Sequence, residues 1–306
     1  MNLASPSSYW VTPVVSLKVV LLYVALTSLV LGCRTGLGPP SPLSSTGPAT
    51  VDLDAEVARA DSQGKPILLL VTEPGHSAAD NSRLIRRCSK NITEHGIISI
   101  ELDINVSRNR ATALRFHITN TPVLFCLSPK GLIINRDEAP ITKSLLFQRI
   151  EGIGAKATEL DEKLGLLQGS VAQSSNATPA EFELANFFLA QQNAREAIPL
   201  LETVARTEAA NTTLRISAWA NLARAHLWVA EPEKGRHEAA ALIAVLGPRS
   251  AEARAAGNYV LGIQDAAARR TARARQEFEI AINAAPDSPY AKQAAAALAM
   301  LPGEEN

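Results

Sequence analysis

The sequence predicts an α/β domain followed by an all-α domain. Three observations carry that reading. Short apolar runs at 67–71, 97–102 and 123–127 alternate with helical patterns, which suits a sheet flanked by helices. Beyond Thr178-Pro179 the chain is alanine-rich and carries no strand signal. Within that second half, apolar positions recur at a fixed step, which marks a helical repeat.

The elements follow in order. Leu53 to Ala60 has helical spacing of apolar residues, and Gly64 is placed to cap its C-terminus. Ile67 to Val71 is an unbroken apolar run, as a strand covered on both faces requires. The loop Pro74-Gly75-His76-Ser77 comes next, with Ser77 positioned to N-cap a helix from Ala78 that turns Leu84, Ile85 and Cys88 inward. A second strand is expected over Ile97–Leu102, and a short helix over Ala111–Phe116. Thr121-Pro122 then leads into a strand over Val123–Leu127, and Ser128–Gly131 turns into Leu132–Ile134. An amphipathic helix is expected from Ile141 to about Leu167.

This order resembles the thioredoxin-like family, in which the first core strand runs into a Trp-Cys-x-x-Cys loop. The two cysteine places of that loop fall on Gly75 and Ala78. Thiol–disulfide exchange needs one attacking thiolate and one resolving thiol, and neither is there. The resemblance therefore implies the fold without its reaction. It also implies that Pro122 is cis and that Thr121 offers its backbone to an extended peptide. His76, beside the lost pair, joins Thr121 and Pro122 as a peptide-binding candidate. Cys88 and Cys126 lie in apolar patterns and read as small buried hydrophobes. The competing view is a thiol-dependent oxidoreductase or peroxide-handling protein that uses Cys88 or Cys126. A hydrolase built on Ser77 or His76 lacks a nucleophile elbow.

The second half carries three units. Leu184-Ala185 and Phe188 precede Ala197, Leu201 and Val204; Trp219, Leu222-Ala223 and His226 precede Gly235, Ala239 and Leu242; Leu261-Gly262 precede Ala274, Phe278, Ala281 and Pro286. The step is 38 residues from Leu184 to Leu222 and 39 from Leu222 to Leu261. The pattern resembles tetratricopeptide (TPR) repeats, with 288–301 as a capping helix. That resemblance implies a concave groove that holds peptides or proteins. Arg195, Arg215, Arg224 and Arg236 either line it or are solvated.

At the N-terminus, Lys18 precedes a 13-residue apolar run, Val19–Leu31, of signal-peptide length. Val30-Leu31-Gly32-Cys33 resembles a bacterial lipobox, which implies lipid attachment at Cys33. Residues 34–50 are a Pro/Ser/Gly/Thr tether. Arg34 stands where an acidic residue would hold such a lipoprotein at the inner membrane, so the resemblance points to the outer membrane.

The expected organisation is a signal peptide with lipobox at 1–33, a linker at 34–50, a thioredoxin-like sandwich at 51–168, a linker at 169–178 and TPR-like repeats at 179–302. Thirty basic residues balance thirty acidic ones, which argues against nucleic-acid binding. No C-x-x-C or paired-histidine spacing appears, so no metal or cofactor is expected. The combined expectation is a periplasm-facing scaffold of the bacterial cell envelope, holding other envelope proteins or peptides.

Overall fold

The structure is a computed structural model. It describes residues 52–302 except 74–75, 107–108, 110–115, 117, 119 and 139, and only the backbone of 76–79. The segments read as signal peptide and tether, with Cys33, lie outside the described residues, as do Gly75 and most of the short helix expected at 111–116.

The first half is a mixed four-stranded sheet flanked by helices. Strands β1 (Ile67–Thr72), β2 (Ile98–Asp103), β3 (Val123–Leu127) and β4 (Ile133–Glu138) lie in the order β2-β1-β3-β4. β1 runs parallel to β2, while β3 is antiparallel to both β1 and β4. Every residue of the central strands β1 and β3 is buried, which explains their unbroken apolar runs. Successive side chains point to opposite faces. Ile67, Leu69, Val71, Val123, Phe125 and Leu127 therefore share one core with Leu53, Val57 and Ala60 of helix α1 (Leu53–Gln63) and with Phe116. Leu68, Leu70, Leu124 and Cys126 form the other core with Ile85 of α2 (His76–Arg87), Ile92 of α3 (Ser89–Glu94) and Leu146, Ile150 and Ile153 of α4 (Lys143–Gln173). Each fully buried aliphatic side chain contributes roughly 1.5–3 kcal/mol of transfer free energy.

Several boundaries differ from the sequence reading. α2 starts at His76, so Ser77 sits in its first turn rather than capping a helix from Ala78. α3 was not anticipated, because only Ile92 of SKNITE is buried and no apolar stripe marks it. β4 runs on through Arg136, Asp137 and Glu138, whose charges are satisfied on the spot. Arg136 lies over the Phe125 ring at 5.5 Å and donates to Phe116 O at 2.9 Å, and Arg149 grips Asp137 through two bonds of 2.6 and 2.7 Å.

The largest correction concerns the expected linker at 169–178. α4 continues through Gln173, leaving only 174–177 before α5 (Thr178–Ala190). The cause is packing. Leu160, Leu164, Leu167 and Val171 extend one stripe of α4 at helical spacing, and this stripe packs with Leu132, Leu184, Phe187 and Phe188. Gly169 and Ser170 are carried inside the helix, where Ser170 Oγ donates back to Leu166 O at 3.0 Å.

The second half is all helix: α5, α6 (Ala194–Arg206), α7 (Thr212–Trp228), α8 (Pro232–Leu246), α9 (Ala251–Ala267), α10 (Thr271–Ala284) and α11 (Pro289–Met300). The chain divides into two compact units, with the division between Leu242 and Ile243 inside α8. In the second unit α9 packs against α10 and α11, and α10 against α11. Gly262 of α9 lies so close to Phe278 that a Cβ there would stand 2.5 Å from Cε1 of the ring.

Candidate functional site

Three helix pairs, α5–α6, α7–α8 and α9–α10, are each joined by three residues with the middle one left-handed: Gln192 (φ 57°), Ala230 (φ 61°) and Arg269 (φ 58°). None is glycine, so tertiary packing holds each residue where its Cβ is disfavoured. The hydrogen bonds repeat as well. Asn193, Glu231 and Arg270 each donate N–H to the carbonyl five residues back, on Phe188, His226 and Asp265, all at 2.8 Å. This is a Schellman closure made three times over. Two of the closures are doubled by side chains. His226 Nδ1 bonds Glu231 Oε2 at 3.0 Å, and Arg270 Nε donates to Asp265 Oδ1 at 2.6 Å. The Lys234 and His226 hydrogen bonds hold the Glu231 carboxyl below its usual range.

Small residues let paired helices approach. Ala197, Gly235 and Ala274, buried in the first turns of the second helices, are followed by buried Leu201, Ala239 and Phe278. α5 and α7 touch directly, and Asn221 Nδ2 donates to Asn186 Oδ1 at 2.9 Å. Helical periodicity places Phe182 and Leu189 on the Asn186 face of α5, and Arg224 and Trp228 on the Asn221 face of α7. All six side chains are half-buried, and the Arg224 guanidinium stands 5.8 Å from the Trp228 ring centre. Of the four arginines singled out in the sequence, Arg224 alone falls on this face with a resolved partner. Arg215 instead lies over Trp219 at 5.7 Å and donates to Ala205 O at 3.2 Å, Arg195 is exposed on α6, and Arg236 is half-buried on α8.

In the sheet half, the Thr121–Pro122 peptide bond is cis and directly precedes β3. Thr121 Oγ1 donates to Glu73 Oε2 at 3.4 Å, just beyond the end of β1. His76 and Ala78 occupy the first turn of α2, but their side chains are outside the described residues, as is all of Gly75. Cys88 and Cys126 are free thiols, 3% and 0% exposed. Burial, reinforced by Asp137, pushes the Cys126 thiol up to about 12, so it is no thiolate at neutral pH.

The sequence reading missed Glu73 and the Asn186–Asn221 pair. An asparagine among apolar neighbours on each of two helices, Asn186 and Asn221, was the available signal for the second. No protein-family model matches the chain. No curated protein matches it either.

Proposed function

We propose that the chain is a membrane-anchored, non-catalytic protein-protein interaction scaffold of the bacterial cell envelope. It joins a redox-inactive thioredoxin-like domain to TPR-like repeats. The observation that carries the reading is the threefold helix–turn–helix closure stepping by 38 and 39 residues, Gln192 to Ala230 to Arg269. Such stacking leaves the first helices of successive pairs with a shared face, here Phe182, Asn186, Leu189, Asn221, Arg224 and Trp228. An extended peptide has aromatic area, amide groups and one cation to meet there.

The thioredoxin-like assignment rests on the mixed sheet flanked by helices and on the Thr121-Pro122 pair that leads into β3. Gly75 and Ala78 in place of the redox pair support the loss of activity. The thiol-enzyme alternative is disfavoured by the burial of both remaining cysteines. The anchor rests on the lipobox resemblance at Cys33, with the outer membrane favoured through Arg34. Among the described residues no helix is long and apolar enough to cross a membrane.

The test places a photo-crosslinking amino acid at Arg224 of the full chain in envelope membranes. One defined adduct that disappears with Trp228→Ala and persists in Cys88→Ser/Cys126→Ser supports the scaffold. Disulfide reductase or peroxidase turnover that disappears in the double serine variant would instead establish the thiol enzyme. Metabolic labelling with a palmitate analogue, lost in Cys33→Ala, checks the anchor.

A further inference from the structure

Helices α2 and α3 present a basic face. Arg83, Arg86, Arg87 and Lys90 follow one another at i, i+3, i+4 and i+7, so they share one side of the helix. All four are exposed. The joint between the two helices keeps the stripe in line. Cys88 N–H donates to the carbonyls of Leu84 and Ile85, and Ile92 N–H donates to that of Cys88. The opposite side is fixed inward, with Ile85, Cys88 and Ile92 buried in the core shared with β1, β3 and α4. Two acids lie on the stripe, one at each end. Asp80 pairs with Arg83 at 2.8 Å and Glu94 with Lys90 at 3.8 Å, all four side chains being largely exposed. Arg86 and Arg87, in the middle, have no side-chain partner among the described residues.

Helix stability does not account for this pattern. Cations in the last turn of α2 complement its dipole, which covers Arg86 and Arg87. Lys90 is in the first turn of α3, where the dipole favours an acid and none is present. The charge therefore follows the face and not the helix ends. The chain as a whole is neutral, so the stripe is a local excess.

We propose that this face docks on the anionic headgroups of the membrane that anchors the chain. The proposal rests on the anchored reading given above. From Cys33 to Asp52 the chain can reach at most about 65 Å, so the domain that follows is held beside a bilayer. The chemistry favours headgroups over a protein partner. Protein interfaces are centred on buried aromatic and apolar anchors. The exposed large apolar side chains among the described residues are Leu166, Val245, Ile280 and Met300, none of them on α2 or α3. A headgroup layer asks only for charge, at about a fivefold gain per lysine or arginine near the surface.

The test uses the full-length chain purified from bacterial membranes, on vesicles of phosphatidylcholine alone or with about 30 mol% phosphatidylglycerol. A spin-labelled amino acid is incorporated at Ser89, exposed beside Lys90, or at Ser62, exposed on α1 across the sheet. Its relaxation by nickel-chelating lipids reports distance from the headgroups. With phosphatidylglycerol present, the Ser89 label should be relaxed strongly and the Ser62 label weakly. Phosphatidylcholine alone, or about 0.5 M salt, should erase the difference. Arg86→Gln/Arg87→Gln should lower the ratio of docked to undocked domain by roughly 10- to 30-fold. Arg195→Gln/Arg273→Gln, which removes the same charge from α6 and α10, should not. Equal losses in the two double variants would overturn the proposal. So would a chain that is retained on phosphatidylcholine but whose Ser89 label ignores phosphatidylglycerol, and that result would leave the anchor standing. A chain that floats only with phosphatidylglycerol, and only with Arg86 and Arg87 intact, would refute the anchor and support the face.

Discussion

The α7–α8 and α9–α10 pairs build one backbone from different chemistry. Both turn through a left-handed residue and both close with a 2.8 Å bond from the residue after it. In the first, a buried histidine meets an acid at the start of the next helix. In the second, a buried acid meets a base there. Polarity is inverted while geometry is kept, so the turn is specified by backbone closure and helix packing, with the charges added on top. The helix contact shows the same exchange. Buried Ala223 and Ala239 stand 39 residues before Gly262 and Phe278, and in the later pair the large ring on one helix is accommodated by a glycine on the other.

The largest expected effect comes from cutting the more deeply buried closure. Asp265 is 1% exposed beneath Arg270, and Asp265→Ala should cost about 2–3 kcal/mol in denaturant unfolding. Glu231→Ala, at a partly exposed acid, should cost much less. Equal losses would mean that the two closures are not comparable. Next comes Gly262→Ala, whose new methyl overlaps the Phe278 ring and should cost about 1–3 kcal/mol. Adding Phe278→Leu should recover part of that loss, and strict additivity in the double-mutant cycle would sink the size-exchange account.

A smaller effect is expected at the left-handed residues. Ala230→Val should lose about 1–2 kcal/mol, and Ala230→Gly should gain up to about 1 kcal/mol. Arg269→Gly should behave the same way if the backbones are equivalent. The smallest effect is pH dependence. The folded-state pKa of Glu231 is lowered, so its contribution to stability is full above the unfolded carboxyl value and is lost as pH falls through the folded value. Unfolding midpoints of the wild type should therefore decline on acidification more steeply than those of Glu231→Gln. Parallel profiles would remove Glu231 from the account.

Much of this was legible before any coordinates. The runs at 67–71 and 123–127 announced central strands because both their faces are covered, and the 38- and 39-residue steps located the helix pairs. What escaped was decided by partners distant in sequence. The strand opens legibly at Ile133-Ile134, but nothing local in NRDE continues it until Phe125 and Arg149 are brought beside it. Gly169-Ser170 reads as a break until Leu164 and Val171 find α5. The left-handed positions carry glutamine, alanine and arginine, so no glycine betrayed them. At the candidate sites the sequence alone shows Gly75 and Ala78 at the two places where the thioredoxin-like resemblance would put cysteines.

α4 has a mechanical consequence. Its first half is bolted to the sheet through Leu146, Ile150 and Ile153, and its last turns to α5 through Leu164 and Val171. Thirty-one residues of continuous helix make a rod about 46 Å long. A load applied to α5 therefore does not slacken a tether. It bears on the sheet through a stiff lever, and the β3–β4 turn at Leu132 serves as its fulcrum.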